Sequence, residues 1–215
     1  MSRHALNSRP VVYVVDDDAS MLRALSRLLN LAGYDVQGFT SATDFLAWHQ
    51  PQHRGCVIAD LRMPGMDGLD LQSALARSGN PLPVIFLTGH GDIPTSVHAI
   101  KGGAEDFLTK PVQKEKLLPA VERAMANDAA ASQQSAHRLE LQRHFELLTP
   151  RERQVLDQIA AGKLNKQIAA DLGAAESTIK AHRASIMEKL QVHTSAELGR
   201  VTQEAGLLSR AAANQ

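Results

Sequence analysis

The sequence predicts an α/β doubly wound, five-stranded parallel sheet followed by a small all-α domain. Three observations carry this expectation. Short apolar runs alternate with helical periodicity through the first 125 or so residues. Four of the predicted strands end on residues suited to chemistry: Asp16 and Asp17, Asp60, Thr88, and Lys110 next to the fifth. From about residue 145 onward only helical patterns remain.

Val11 to Val15 reads as the first strand, ending at Asp16. Ala19 to Leu31 carries Leu22, Leu25, Leu28 and Leu29 on one helical face, and Gly33 stops it. Tyr34 to Phe39 is the second strand. Ser41, followed three residues later by Asp44, marks a helix start for Ala42 to His49. The run Cys56 to Ala59 ends on Asp60, and Pro64, Gly65 and Gly68 break the chain before a helix from about Leu69 to Arg77. Val84 to Leu87 is a fourth strand ending at Thr88. A helix from about Pro94 to Lys101 is closed by Gly102 and Gly103, Ala104 to Leu108 is the fifth strand, and a last helix opens after Val112. Such β-α units make a parallel sheet with helices on both faces, and ligands of such sheets bind at the carboxyl ends of the strands.

The first domain is expected over 8–126 and the second over 145–208. Residues 127–144 form a linker, rich in alanine and polar side chains, that is either a helical extension or a flexible tether. The second domain is expected to contain helices over Pro150 to Ala161, Asn165 to Leu172, Ser177 to Leu190 and Ser195 to Ala205.

Composition narrows the function. The 215 residues are 44% hydrophobic with a formal net charge of zero, so no gross basic excess announces nucleic acid, although a basic face on a neutral molecule is compatible with it. The single cysteine, Cys56, excludes an internal disulfide and reads as a small core residue. No signal region and no run of bilayer-spanning length is present, so a cytoplasmic location is expected. The nine histidines are scattered without zinc-ligand spacing. Trp48 is expected to pack rather than to stack on a ligand, and His90 and Asp92 to line the approach to the Thr88 strand end or simply to solvate a loop.

Charge argues for a specific chemistry. Three carboxylates from Asp16, Asp17 and Asp60 brought together are unfavourable unless a cation sits among them, and hard oxygen ligands with room for water suit Mg²⁺. Lys110 adds a fixed positive charge and Thr88 a hydroxyl donor. The set suits phosphoryl transfer onto Asp60 as nucleophile, with Mg²⁺ and Lys110 neutralising phosphoryl oxygens. Asp18 reads instead as a helix cap.

The segments V-V-D-D-D, D-L-R-M-P-G-M-D-G, L-T-G-H-G-D and F-L-T-K-P, in that order, resemble the receiver domain of two-component response regulators, a flavodoxin-like fold, over roughly residues 10 to 125. The resemblance implies that Asp60 is the phosphoacceptor, and that Asp17, Asp60 and the backbone carbonyl of Arg62 hold Mg²⁺ with help from Asp16. It further implies a cis bond before Pro111 and a switch role for Phe107 alongside Thr88 and Lys110. Val112 stands where the family often has Phe.

The second domain opens with Thr149, Pro150, Arg151 and Glu152, a capping box with proline at the first helical position. Two helices follow, joined by a turn through Gly173, which is the pattern of a helix-turn-helix. Lys180, His182 and Arg183 are expected on or near one exposed surface of the later helix, with Ile179, Ile186 and Leu190 toward the core. Ser177 and Thr178 at its start offer hydroxyl and backbone donors to phosphates. Residues 146–215 hold nine Lys/Arg against eight Asp/Glu, so clustering rather than net charge would have to serve DNA. By charge alone, a solvated face fits as well.

L-T-P-R-E-R-Q-V-L, N-K-Q-I-A and S-T-I-K-A-H-R resemble the LuxR-type helix-turn-helix, and the whole chain resembles response regulators of the FixJ/NarL type, nearer FixJ. The resemblance implies a transcription factor, not an enzyme. Asp60 would be phosphorylated by a sensor histidine kinase, with phosphorylation controlling homodimerisation and binding to double-stranded promoter DNA, and RNA polymerase as a further partner. Lys166, Ser177, Thr178, Lys180, His182 and Arg183 would form the DNA-binding set, and the helix around Ser195 to Ala205 would contribute to pairing on DNA. An alternative is a receiver protein acting only through protein partners. A central ATPase is excluded, since the linker is too short and no G-x-x-x-x-G-K-[ST] occurs. An aspartyl phosphatase would want an acid two residues after Asp60, where Arg62 stands.

Overall fold

A computed structural model describes residues 11–78, 81–89, 100 and 102–212. The chain divides into two compact units, Met1–Ser132 and Gln133–Gln215. In the first, strands β1 (Val11–Val15), β2 (Asp35–Phe39), β3 (Gly55–Asp60), β4 (Val84–Thr88) and β5 (Asp106–Thr109) form one sheet in the order β2-β1-β3-β4-β5. Every pairing is parallel. The chain leaves β1 toward one edge and returns to β3 on the other side, so the ends of β1 and β3 flank the crevice where such sheets bind ligands.

The strands alternate sides with period two, and each side buries its own core. Tyr13, Val15, Val57, Ala59, Val84 and Phe86 pack with residues of α2 (Ala42–Trp48) and α3 (Gly68–Arg77). Val12, Val14, Cys56, Ile58, Ile85 and Leu87 pack with Leu25 and Leu29 of α1 (Ala19–Leu31) and with Leu117, Ala120, Val121 and Ala124 of α4 (Lys114–Glu146). Val112, which stands where the family often has Phe, packs on the edge of this second cluster.

Local signals placed most elements. Asp18 caps α1, accepting from the Ser20 amide at 2.7 Å, which is the role expected of it. Ser41 caps α2 through the Asp44 amide at 3.0 Å. The fifth strand begins later than expected, because Gly102 and Gly103 make a turn and the ladder to β4 is entered by the Glu105 amide on the Val84 carbonyl (2.8 Å). Helix α4 begins at Lys114, with the Gln113 carbonyl accepting from Lys116 and Leu117. It continues through the alanine-rich segment to Glu146, the helical one of the two linker alternatives. The expected helix from Pro94 to Lys101, apart from Ile100, lies outside the described residues, as do His90 and Asp92.

Trp48 is a packing residue: its ring stacks on His53 (centroids 4.1 Å, 16°) and lies against Tyr13 and Phe39. His49 stacks on Phe45 (5.4 Å, 24°), and neither of its ring nitrogens has a hydrogen-bond partner. Burial, and then the neighbouring charge of His53, hold the His49 pKa below its ordinary 6.5. The unfolded chain therefore takes up a proton near pH 6.5 that the folded protein resists, so stability falls as pH drops below that value and levels off only once folded His49 is also protonated. In His49→Phe, which keeps the stack and removes the titration, the denaturation midpoint should change less between about pH 7 and 5. Parallel pH profiles for variant and parent would refute this.

The second unit comprises the end of α4 with α5 (Pro150–Ala160), α6 (Asn165–Leu172), α7 (Glu176–Lys189) and α8 (Ser195–Ala212). Leu141, Leu148, Val155, Ile168, Ile179, Ile186, Leu190 and Leu198 build its core. The expected capping box closes α5: Thr149 Oγ1 accepts from the Glu152 amide and Glu152 accepts from the Thr149 amide. Gly173, at φ 62° and ψ 36°, ends α6 in the left-handed conformation and turns the chain into α7. Helix α8 extends past the expected Ala205 to Ala212. Among the described residues no helix is long and apolar enough to cross a membrane.

Candidate functional site

The carboxyl ends of β1, β3, β4 and β5 converge. Asp16, 1% exposed, follows β1, and Asp17 stands next to it in solvent. Asp60 closes β3 and is half-buried. One carboxylate oxygen from each of Asp16, Asp17 and Asp60 lies within 4.8 Å of the others. The Lys110 ammonium reaches in from the end of β5, 2.6 Å from Asp16 Oδ2 and 2.8 Å from Asp60 Oδ2. Burial works against the charge on Lys110, but its hydrogen bonds to Asp16 and Asp60 outweigh that effect and raise its pKa. Three carboxylates against one ammonium leave excess negative charge among hard oxygen donors, a set that could hold a metal ion.

The surrounding backbone holds these groups in place. The Asp16 carboxylate accepts from the Asp18 amide (2.9 Å) and Asp60 from the Arg62 amide (3.2 Å), so the Arg62 backbone lies beside the acidic group while its side chain is exposed. Thr88, 2% exposed, ends β4, and its carbonyl accepts from the Lys110 amide at 2.7 Å. The Lys110–Pro111 bond is cis. Phe107, half-buried on β5, packs against the α2/α3 side, its ring 6.5 Å from that of Phe86.

Sequence reasoning missed one residue of this site. In the sequence Gly68 reads only as a chain breaker, yet a Cβ there would lie 2.6 Å from the Asp60 carbonyl and 2.9 Å from the Phe86 ring. Its amide donates to the Leu61 carbonyl at 3.0 Å, seating the head of α3 directly under the Asp60 loop. The available signal was a glycine immediately after the capping Asp67.

The candidate DNA-binding residues are only partly brought together. Ile179, Ile186 and Leu190 face the core of the second unit as expected. Lys180 is exposed and pairs with Glu176 one turn away (3.4 Å). Arg183 is half-buried and donates to Asn165 Oδ1 at the head of α6 (3.2 Å). Lys166 and Ser177 are exposed.

Two expectations need correction. Successive helical residues are turned by about 100°, which places half-buried His182 roughly 160° around α7 from Lys180 rather than on its surface. The helix also starts at Glu176, so the Thr178 amide is already bonded to the Ala175 carbonyl (3.0 Å) and is not free for a phosphate.

Comparison with known proteins agrees with both units. Residues 12–122 match the response regulator receiver domain family, and residues 146–202 match the luxR family of bacterial regulatory proteins. The chain is 45% identical over 202 residues to the response regulator protein TodT of Pseudomonas putida, covering 94% of this chain and 88% of that protein. It is 39% identical over 198 residues to the transcriptional regulatory protein FixJ of Bradyrhizobium diazoefficiens, covering 92% and 97%. Among solved structures, the response regulator StyR superposes with a TM-score of 0.84 at 43% identity, over 92% of this chain and 100% of that one. The chain belongs to the two-component response regulators of the FixJ type, transcriptional regulators rather than enzymes, in which a receiver domain precedes a LuxR-type helix-turn-helix DNA-binding domain.

Proposed function

We propose that Asp60 accepts a phosphoryl group from a sensor histidine kinase, and that the phosphorylated protein dimerises and binds promoter DNA through α7. The observation that carries this reading is the Lys110 ammonium held between Asp16 and Asp60, with Asp17 beside them. An Asp60 carboxylate oxygen attacks phosphorus as the bond to the donor nitrogen breaks, and Lys110 meets the negative charge of the phosphoryl oxygens. Thr88 donates its hydroxyl to another of those oxygens. Asp16, Asp17, Asp60 and the Arg62 carbonyl would hold Mg²⁺, which supplies charge neutralisation during transfer.

The phosphoryl group adds ~1.5 to 2 negative charges beside Asp60. Drawing Thr88 toward it vacates space into which Phe107 can turn, and β5 with the adjoining helices becomes the face that pairs two receivers. Two joined helix-turn-helix units then engage half-sites about one helical turn apart, with α8 contributing to the pairing on DNA. RNA polymerase is the downstream partner, and the protein works in the cytoplasm.

Lys180 and Arg183, with Lys166, Ser177 and the exposed Thr178 hydroxyl, contact DNA in this reading. The Lys180–Glu176 pair is exposed and worth about 0.5 kcal/mol or less, so a phosphate can displace it. Sedimentation and DNA titration with and without a beryllofluoride adduct test the reading as a whole. The adduct should increase both mass and DNA affinity, whereas unchanged values of both would remove the coupling. Lys180→Ala and Arg183→Ala should each weaken binding and lower the slope of log affinity against log salt by about one. Parent-like affinity and slope in both variants would remove α7 from the interface.

A further inference from the structure

The charged residues at the head of α5 point into the second unit rather than at a ligand. Arg151 donates to the Leu172 carbonyl at the end of α6 (2.6 Å). Glu152, 4% exposed, accepts four hydrogen bonds. Its Oε1 takes the Ser185 hydroxyl (2.7 Å) and the Lys189 ammonium (2.9 Å); its Oε2 takes the Thr149 amide (2.7 Å) and Lys189 again (2.7 Å). Burial opposes ionisation of this carboxyl, but the bonds from Lys189, Ser185 and Thr149 prevail and hold its pKa down to about 2.

Ser185 and Lys189 are one turn apart near the end of α7, while Lys180 lies on its first half and Arg183 at its middle. Besides these bonds α7 is held by the apolar contacts of Ile179 and Ile186, which are non-directional, and by the Arg183 bond to Asn165 (3.2 Å), which is given up where Arg183 turns to DNA in the reading above. Hydrogen bonds are directional, and two of them one turn apart to a single carboxylate fix both rotation and axial position. Base edges are read by side chains that must arrive at hydrogen-bond distance, so rotation of the reading helix decides which bases are met.

We infer that Glu152, through Ser185 and Lys189, is a positioning residue that sets the rotation of α7 and thereby the base preference of the protein. The inference rests on the reading of α7 as the DNA-contacting helix. Glu152 touches no DNA in this account. Its loss should therefore degrade discrimination between sequences while leaving the salt-dependent phosphate contribution intact.

The test uses the full-length protein, a duplex enriched from a random-sequence pool by the parent, and a shuffled duplex of identical base composition. Glu152→Gln should lower the ratio of affinities for the two duplexes about tenfold, and Ser185→Ala by a smaller factor, with the salt slope unchanged in both. Ser185→Thr, which keeps the hydroxyl, should retain the parent ratio. Circular dichroism confirms folding at the assay temperature. If Glu152→Gln fails to fold, Ser185→Ala against Ser185→Thr decides the matter.

A parent-like ratio in folded Ser185→Ala and Glu152→Gln, with the slope lowered in Lys180→Ala, would overturn the inference alone. An unaltered slope and affinity in both Lys180→Ala and Arg183→Ala would overturn the reading beneath it.

Discussion

Asp60→Asn abolishes acid-labile phosphoryl labelling while leaving the receiver folded: this is the expected result of incubating the variant with Mg²⁺ and either a phosphohistidine donor or a small phosphodonor. The carboxamide that replaces the carboxylate has its nitrogen lone pair delocalised into the carbonyl and offers phosphorus no competent nucleophile, so labelling should fall by at least about a thousandfold. Folding should survive because the Asp60 side chain is at the edge of the core and Lys110 keeps its 2.6 Å bond to Asp16. Asp17→Ala separates nucleophile from metal site. Asp17 is exposed and contributes a carboxylate to the acidic group, so its loss should raise the Mg²⁺ concentration needed for labelling without removing the acceptor. Undiminished labelling of Asp60→Asn would place the acceptor elsewhere.

Gly55→Ala should unfold the receiver unit. Gly55 opens β3 at φ 132°, a conformation that side chains rarely adopt, and pairs with Val11 at the start of β1. A Cβ there would lie 1.9 Å from the Val11 carbonyl oxygen and 2.8 Å from the Val11 nitrogen. Relief would require β1 and β3, the adjacent interior strands that lead into Asp16 and Asp60, to separate. The Gly55 amide also donates to Asp128 at 2.9 Å, so displacement would strip a partner from a carboxylate that is 4% exposed. Backbone strain and overpacking in a tight core each cost about 1 to 3 kcal/mol, and loss of the buried bond adds to them. The sum is comparable to the whole stability of a small domain, typically about 5 to 15 kcal/mol. Loss of cooperative thermal unfolding in Gly55→Ala is the expected observation. A variant melting within a few degrees of the parent would show that the strand ends can part without loss of the sheet. In contrast, Gly33→Ala provides a comparison in which the backbone angle is unfavourable but no atom lies within 4 Å of the new Cβ. It should cost far less.

Many elements of both units are legible in the sequence because their signals are local. The cap of α2 is made between Ser41 and Asp44, the box of α5 between Thr149 and Glu152, and the turn out of α6 by Gly173 alone. Each is complete within four residues, so residue type and spacing suffice to place it. The strand ends were equally readable, since an apolar run stopping at Asp60 or Thr88 marks where a buried ladder meets solvent.

The contacts that give the second unit its geometry were not legible in this way. The sequence marks Glu152 as the partner of Thr149, but its bonds to Ser185 and Lys189, 33 and 37 residues away, carry no local mark. The same holds for Arg183, assigned to an exposed surface by periodicity but turned to Asn165, 18 residues away. His182 departs for a different reason: the 100° step per residue carries it about 160° around α7 from Lys180, which closeness in sequence does not show.

The sequence by itself determined which elements form, their order, and which side chains wait at the strand ends, because period, caps and breakers act over a few residues. Only the tertiary structure decided that β1 and β3 would lie side by side and bring Asp16 and Asp60 onto one ammonium. It alone settled that Gly55 has no room for a Cβ, that Arg54 meets Asp128 at 3.0 Å across 74 residues, and that the linker continues as helix. These outcomes depend on how faces pack and which distant polar groups must find partners once water is excluded, and that accounting closes only over the folded unit.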